Sequence, residues 1–477
     1  MNITKTFLAA SMAAMLLVST MSCDKDDDNK TEEQSQNPEQ QDPEQPNPEQ
    51  PTPGQQGYEQ QNVEAINAAI ISKKAVFPSD GSIQQILRSD QFKDFTSKVA
   101  KFANNAAINI GAQGNDNIAV SPISIFMALA MSAECANGDT RQELLDAMGI
   151  TYDELNANIQ ALCYTFNKAL GYSDDGEVKN LIKCVNSLWV CNDLTNKMKD
   201  DGIKALNSYC YSDLMKMDFE SYNVNEIIKS YISNETNGLL QPDFDYDGNT
   251  AILLMNVIYL REIWNEYGHD LPFTDDNYDF LCYDQSKVSS KLLQGSYNYG
   301  RAVETEKFRK FKTSTNSGLQ LTFFVPKDGY TLDDIYTSDV LNDPTPYECI
   351  DEAAKKRYFT RCFFPEFEAA YDNDLADVVK KMGVGKFFNV GECDFSNLTD
   401  YDVYCRSINH ITKLEVARKG IEGAAVTIVE MANKASGEHY EDEYENVYED
   451  FIVDRNFAYV LSMDGVPVFT GVVKTIK

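Results

Sequence analysis

Histidine occurs three times and tryptophan twice in this chain of 477 residues, which leaves little room for imidazole-based metal or acid–base chemistry. Basic charge is also short: 42 Lys and Arg stand against 74 Asp and Glu, a formal net charge of −32 at pH 7. That balance argues against nucleic acid as a partner and against adhesion to anionic membranes through surface charge, since both depend on Lys and Arg. Beyond the first two dozen residues, no apolar run reaches the roughly 20 residues of a transmembrane helix. The chain contains no HExxH, no GxSxG, no GxGxxG after a strand and no GxxxxGK[ST], so the common enzyme signatures are missing. Gly383-Val384-Gly385-Lys386 is a fragment at a helix end, where a cap explains it better. Asp243-Phe244-Asp245-Tyr246-Asp247-Gly248 has the flavour of a calcium loop, but Leu254 stands where its glutamate belongs. No metal or other cofactor is expected. The 11 cysteines include no CxxC pair, and buried free thiols are the expectation for those in the globular part.

What is present begins with an address. Lys5, the apolar stretch Phe7 to Val18 and the small-residue segment ending at Ser22-Cys23 read as a secretion signal over residues 1–22. Ser22-Cys23 resembles a bacterial lipobox, with Thr20 in place of the usual leucine, and that resemblance implies acylation of Cys23. Asp24-Lys25-Asp26-Asp27-Asp28 resembles the acidic tag of surface lipoproteins of Bacteroidetes-type bacteria. The implied location is an outer-membrane lipoprotein at the cell surface, held to the membrane by its N-terminal lipid alone. Residues 24–60 hold six of the 15 prolines and a local charge of −9, with Pro-Glu-Gln repeating at Pro38, Pro43 and Pro48. Such a segment has almost nothing apolar to bury, so 23–60 is read as a disordered tether.

From about residue 61 the texture becomes globular, with 43 % hydrophobic and 11 % aromatic residues in the chain as a whole. Length alone suggests two or three domains. Ser121 before Pro122 makes a helix start, and Asn137-Gly138-Asp139-Thr140 interrupts and restarts the helix that runs to Met148. Asp374 to Met382 reads as a helix ending at Gly383. Ala251–Leu260 and Leu319–Val325 suit buried strands, and Asp464-Gly465 turns a C-terminal hairpin. Helices dominate the first half and strands the second, so the fold class is α+β rather than a doubly wound sheet.

Several separated segments, taken in order, resemble the serpin family. They are Asn117–Ile125 continuing through Met131 to Thr140, Asn186-Ser187-Leu188-Trp189-Val190, and Thr236-Asn237-Gly238-Leu239-Leu240. Asn256–Leu260, Trp264, Pro272-Phe273, Met382–Phe388, Phe457-Ala458-Tyr459 and Phe469–Val473 follow with matching order and spacing. The resemblance replaces the length argument by one large domain, 61–477, with mixed sheets and an exposed mobile reactive loop. It implies a serine-protease inhibitor, not an enzyme: a target cleaves the loop, which inserts into the central sheet while the protease is still held as an acyl-enzyme. A monomer is expected.

The family pattern carries over onto Ser121, Ser124, Asn186 and His410 as the cluster beneath the strands that must part, and onto Trp264 at the upper opening. The hinge falls at Gly420, followed by Ile421, Glu422, Gly423, Ala424 and Ala425. Inhibitory members usually have Thr or Ser where Ile421 stands and Glu where Arg418 stands, so a branched Ile421 is expected to slow the first step of insertion. Along the loop, Ile421, Gly423, Ala425, Thr427, Val429 and Met431 form one uncharged alternating set, as a strand with one buried face requires.

Family spacing from Gly420 places the scissile bond at Lys434–Ala435. Independently, Lys434 is the sole Lys or Arg between Ile421 and Asp454, which suits a trypsin-like protease carrying a carboxylate in its primary pocket. Cysteine proteases are secondary candidates. Gly437 to Asp454, with eight acids, reads as a solvated insertion or as an acidic surface that steers basic proteases. The alternative to inhibition is a non-inhibitory binding module on the same fold.

Overall fold

The structure, a computed structural model, describes residues 80–477 except 113, 173–177, 244–249, 265–269, 316–317 and 422–443. Cys23, the tether and the loop residues Glu422, Gly423, Ala424, Ala425, Lys434 and Ala435 lie outside the described residues, as does most of the Asp243–Gly248 segment.

Helices open the described chain. α1 (Asp80–Leu87) leads to α2 (Asp90–Ile110), whose Ser89 cap accepts from the Phe92 amide and whose Phe92, Phe95, Val99, Phe102 and Ala106 form a buried stripe at helical spacing. β1 (Ile118–Val120) precedes α3 (Pro122–Cys135), which is buried on nearly every side; this explains a sequence that is apolar all round. Gly138, at φ +53°, starts α4 (Gly138–Met148), and a Thr151–Glu154 capping box starts α5 (Tyr152–Thr165).

Two further segments build the central sheet. β2 (Asn167–Tyr172), β3 (Val178–Cys191), β4 (Ser212–Met217) and β5 (Ile252–Ile263) come from the first, and between them lie α6 (Asp200–Ser208) and α7 (Val224–Glu235). β6 (Phe367–Asp374), β7 (Asn409–Ala417) and β8 (Gly420–Ile421) come later, with α8 (Ala376–Lys381) between β6 and β7. Their order in the seven-stranded sheet is β6-β7-β8-β5-β3-β2, with β4 beside β3. α7 covers the outer face, where Trp189, Met215, Met255 and Val257 pack with Ile228, Tyr231 and Ile232. The inner face rests on α3.

β9 (Glu445–Ile452) pairs in parallel with Lys356–Phe364 at the edge of a four-stranded sheet. Over Glu445–Ile452 this corrects the reading of 437–454 as a solvated insertion; 437–443 lie outside the described residues. Val447 and Phe451 face inward, but Glu445 and Glu449 share that face, so the strand has no clean apolar alternation for a sequence argument to find. β10 (Phe457–Met463) and β11 (Val466–Val473) form the expected hairpin about Asp464 (φ +50°) and Gly465 (φ +82°), the positive-φ pair of a tight turn. β11 is buried along its whole length between β1 and β10 in a six-stranded sheet. The ten described cysteines are free, and six of them are buried.

Candidate functional site

Among the described residues, the centre of the seven-stranded sheet is interrupted. β8 follows β7 after the two-residue turn Arg418-Lys419, and Ile421 pairs with Val416 on one side and Glu262 on the other. Below that short bridge, no described strand stands between β5 and β7, and the two do not pair with each other. Residues 252–261 of β5 pair only with β3, and 409–415 of β7 only with β6, among the described residues. A cleft with a cavity volume of about 80 Å³ lies between them, with Ser121, Ser124 and Phe469 at its floor and Leu239, Leu240 and Pro242, which follow α7, also lining it.

Gly420 sits where backbones crowd. A Cβ built there would lie 2.1 Å from the Glu262 carbonyl oxygen, so a side chain cannot fit without parting β8 from β5. Ile421 is fully buried in this pairing. Its branched side chain, expected to slow the first step of insertion, is thus already seated between the strands. Trp264, just past β5, donates from Nε1 to the Ala417 carbonyl at 2.7 Å and packs edge-on against Phe364. Arg418, in the turn, pairs with Asp270 at 3.3 Å, while its amide donates to Glu366 Oε1 at 2.7 Å. These contacts hold the top of the opening.

Beneath the cleft the polar residues fall into two groups. On the β7 side, the Ser121 amide donates to His410 Nε2 at 3.1 Å and the Ser121 hydroxyl donates to the Val468 carbonyl at 2.9 Å. Ser121 occupies the cap position of α3, yet its side chain caps nothing; the hydroxyl serves β11 instead. Thr412 donates to the Ala119 carbonyl. His410 is buried, which pushes its pKa down to about 4 and keeps the ring neutral, with the proton on Nδ1 because Nε2 accepts.

On the β5 side, Asn186 lies directly opposite Asn256 in the β3–β5 ladder. The Asn256 amide donates to Asn186 Oδ1 at 2.7 Å, and the Asn186 amide donates to the Cys210 carbonyl at 2.6 Å. The buried Asn256 Oδ1 has no hydrogen-bond partner among the described residues. Ser121 and His410 are therefore in direct contact, Ser124 lines the cleft, and Asn186 reaches it through Asn256. Thr412 and Asn256 are additions that the sequence reading missed. Asn256 had a signal, being the one amide within the apolar run Ala251–Leu260.

Among the described residues, the site thus consists of a central sheet parted between β5 and β7, a short strand beside Trp264 and polar residues under the gap. The profile of the serpin family, serine protease inhibitors, matches residues 97–475, and the chain belongs to that family. Among relatives, mouse neuroserpin is 24 % identical over 413 residues, covering 82 % of this chain and 93 % of its own. Antitrypsin of Bombyx mori is 25 % identical over 369 residues, covering 75 % and 87 %. Among solved structures, Serpin48 of Tenebrio molitor superposes with a TM-score of 0.64 at 18 % identity, over 82 % of this chain and all of that one. Human thyroxine-binding globulin, solved in complex with thyroxine, gives 0.62 at 18 % identity over 81 % and 99 %. These structural likenesses bear on fold. Serpins are in general inhibitors of serine proteases rather than proteases.

Proposed function

We propose that this chain is a suicide-substrate inhibitor of trypsin-like serine proteases, cleaved at Lys434–Ala435 and displayed at the cell surface through a lipid on Cys23. The observation that carries the reading is the break between β5 and β7, which do not pair below β8 among the described residues and which Gly420-Ile421 enters at one end. Val416 is buried and faces inward, so its partner Ile421 does too. A loop that inserted in this register would turn Gly423, Ala425, Thr427, Val429 and Met431 inward, none of them charged, and Glu422 and Glu430 outward. Each ladder hydrogen bond gained by filling the cleft contributes about 1 kcal/mol. The facing edges of β5 and β7 below β8, unpaired among the described residues, are the groups such a strand would satisfy.

The chemistry divides accordingly. Lys434 fills the protease pocket, its carbonyl is acylated onto the protease, and insertion carries the acyl-enzyme away before water reaches the ester. The domain 61–477 performs this as a monomer, and 23–60 spaces it from the membrane.

Full-length protein incubated with trypsin tests the reading on a denaturing gel with mass spectrometry. A covalent band at the summed mass, with a released peptide beginning at Ala435, is expected. Cleavage at Lys434 with no covalent product would instead point to the non-inhibitory binding module.

A further inference from the structure

One face of the four-stranded sheet carries rings where a solvent-facing strand normally carries polar groups. The register sets Tyr299 opposite Phe359 and Phe359 opposite Tyr448, a row of three aromatics across adjacent strands. Phe359 stacks on Tyr448 with centroids 5.5 Å apart, and Tyr297 meets Tyr448 edge-on at 5.0 Å. In the neighbouring row Arg361 lies 5.0 Å from the Tyr297 ring centroid and 3.4 Å from Asp450. Alternate residues Tyr358, Thr360 and Cys362 are buried, so the aromatic row belongs to the outer face. Even so packed together, Tyr297 and Tyr299 remain 44 % exposed and Tyr448 59 %. Leaving apolar surface in water costs roughly 25 cal/mol per Å², and clusters of Tyr with Arg are the composition of binding hot spots.

The place of the patch selects its occupant. β9 is an edge strand, pairing only with Lys356–Phe364 among the described residues. Its edge carries Glu445, Glu449 and Asp450, charges that discourage the addition of another strand. A partner therefore meets the face rather than the edge. β9 also continues directly from the segment that contains Lys434, which precedes Tyr448 by 14 residues in the sequence. Extended chain of that length spans at most about 46 Å, within reach of a single globular domain held at Lys434.

We propose that Tyr297, Tyr299, Phe359, Tyr448 and Arg361 form a second docking surface for the trypsin-class protease that attacks Lys434–Ala435. The proposal rests on the inhibitory reading for its partner. Arg357 and Arg361 flank the ring row on the same face, with Asp450 paired to Arg361 there, so the complementary surface is chiefly apolar.

The test compares full-length wild type with Tyr297→Ser/Tyr448→Ser. The probe is trypsin whose nucleophilic serine is replaced by alanine, which can bind the loop but cannot cleave it. At least a tenfold rise in Kd is expected for the variant. The rate of covalent complex formation with active trypsin should fall in step, at unchanged inhibitor-to-protease stoichiometry. Equal Kd values overturn the docking surface, and so does failure of wild type to bind the inactive trypsin. Weaker binding by the variant, with no covalent product from either protein, sinks the inhibitory mechanism and leaves the docking surface standing. Should the double variant fail to fold, Tyr448→Lys alone, at a largely exposed position, decides by the same Kd comparison.

Discussion

His410 is a buried ring that must stay neutral to keep its bond from the Ser121 amide. Its pKa is lowered to about 4 in the fold, against roughly 6.5 in an unfolded chain. A lowered pKa in the native state means that the stability it contributes is present above pH 6.5 and lost as pH falls toward 4. The loss should reach about 2 kcal/mol by pH 5 and about 3 kcal/mol below pH 4. Denaturant midpoints measured between pH 7.5 and 4 should therefore fall less in His410→Gln than in wild type. Parallel slopes for the two proteins would show that His410 is not the origin. The same ring illustrates what sequence can convey: a histidine in an alternating run suggests burial, but its partner lies 289 positions away and no local pattern points to it.

At the scale of the element, β8 matters most although it has two residues. Its glycine is set by the approach of the Glu262 carbonyl rather than by an unusual φ. Gly420→Ala should force β8 away from β5 and lower stability by roughly 1–3 kcal/mol, the usual cost of overpacking, read as a shifted urea midpoint. An unshifted midpoint would mean that β5 yields freely there. β9 shows the opposite relation between sequence and structure. Its acids suggested a solvated segment, yet parallel pairing with Lys356–Phe364 and burial of Phe451 make it a strand. Neither face of β9 is wholly apolar, so its pairing is set by the partner strand and by the burial of Phe451 rather than by a local pattern.

For the molecule as a whole, the open cleft is the quantity to measure. The proposed mechanism predicts that loop cleavage at Lys434 raises the melting temperature. Some ten ladder bonds at about 1 kcal/mol each would amount to a shift of roughly 10 °C or more. Scanning calorimetry of cleaved and uncleaved protein checks this, and identical transitions would exclude insertion. The rise should survive at high salt, because strand pairing is not a screened charge interaction.

Local physics made much of this readable in the chain itself. The start of α3 at Pro122, its interruption at Asn137-Gly138, the Asp464-Gly465 hairpin and the strand at 252–263 follow from caps, turn residues and apolar runs acting over a few positions. The charge of −32 and the missing enzyme signatures narrowed the function before any fold was considered. Tertiary structure alone decided that β5 and β7 stand apart, and that Ser121 spends its hydroxyl on Val468 rather than on its helix. It also decided that Asn256 faces Asn186 and that Tyr299, Phe359 and Tyr448 share a row. Each of these depends on register between segments distant in sequence, where a shift of one residue exchanges the two faces of a strand.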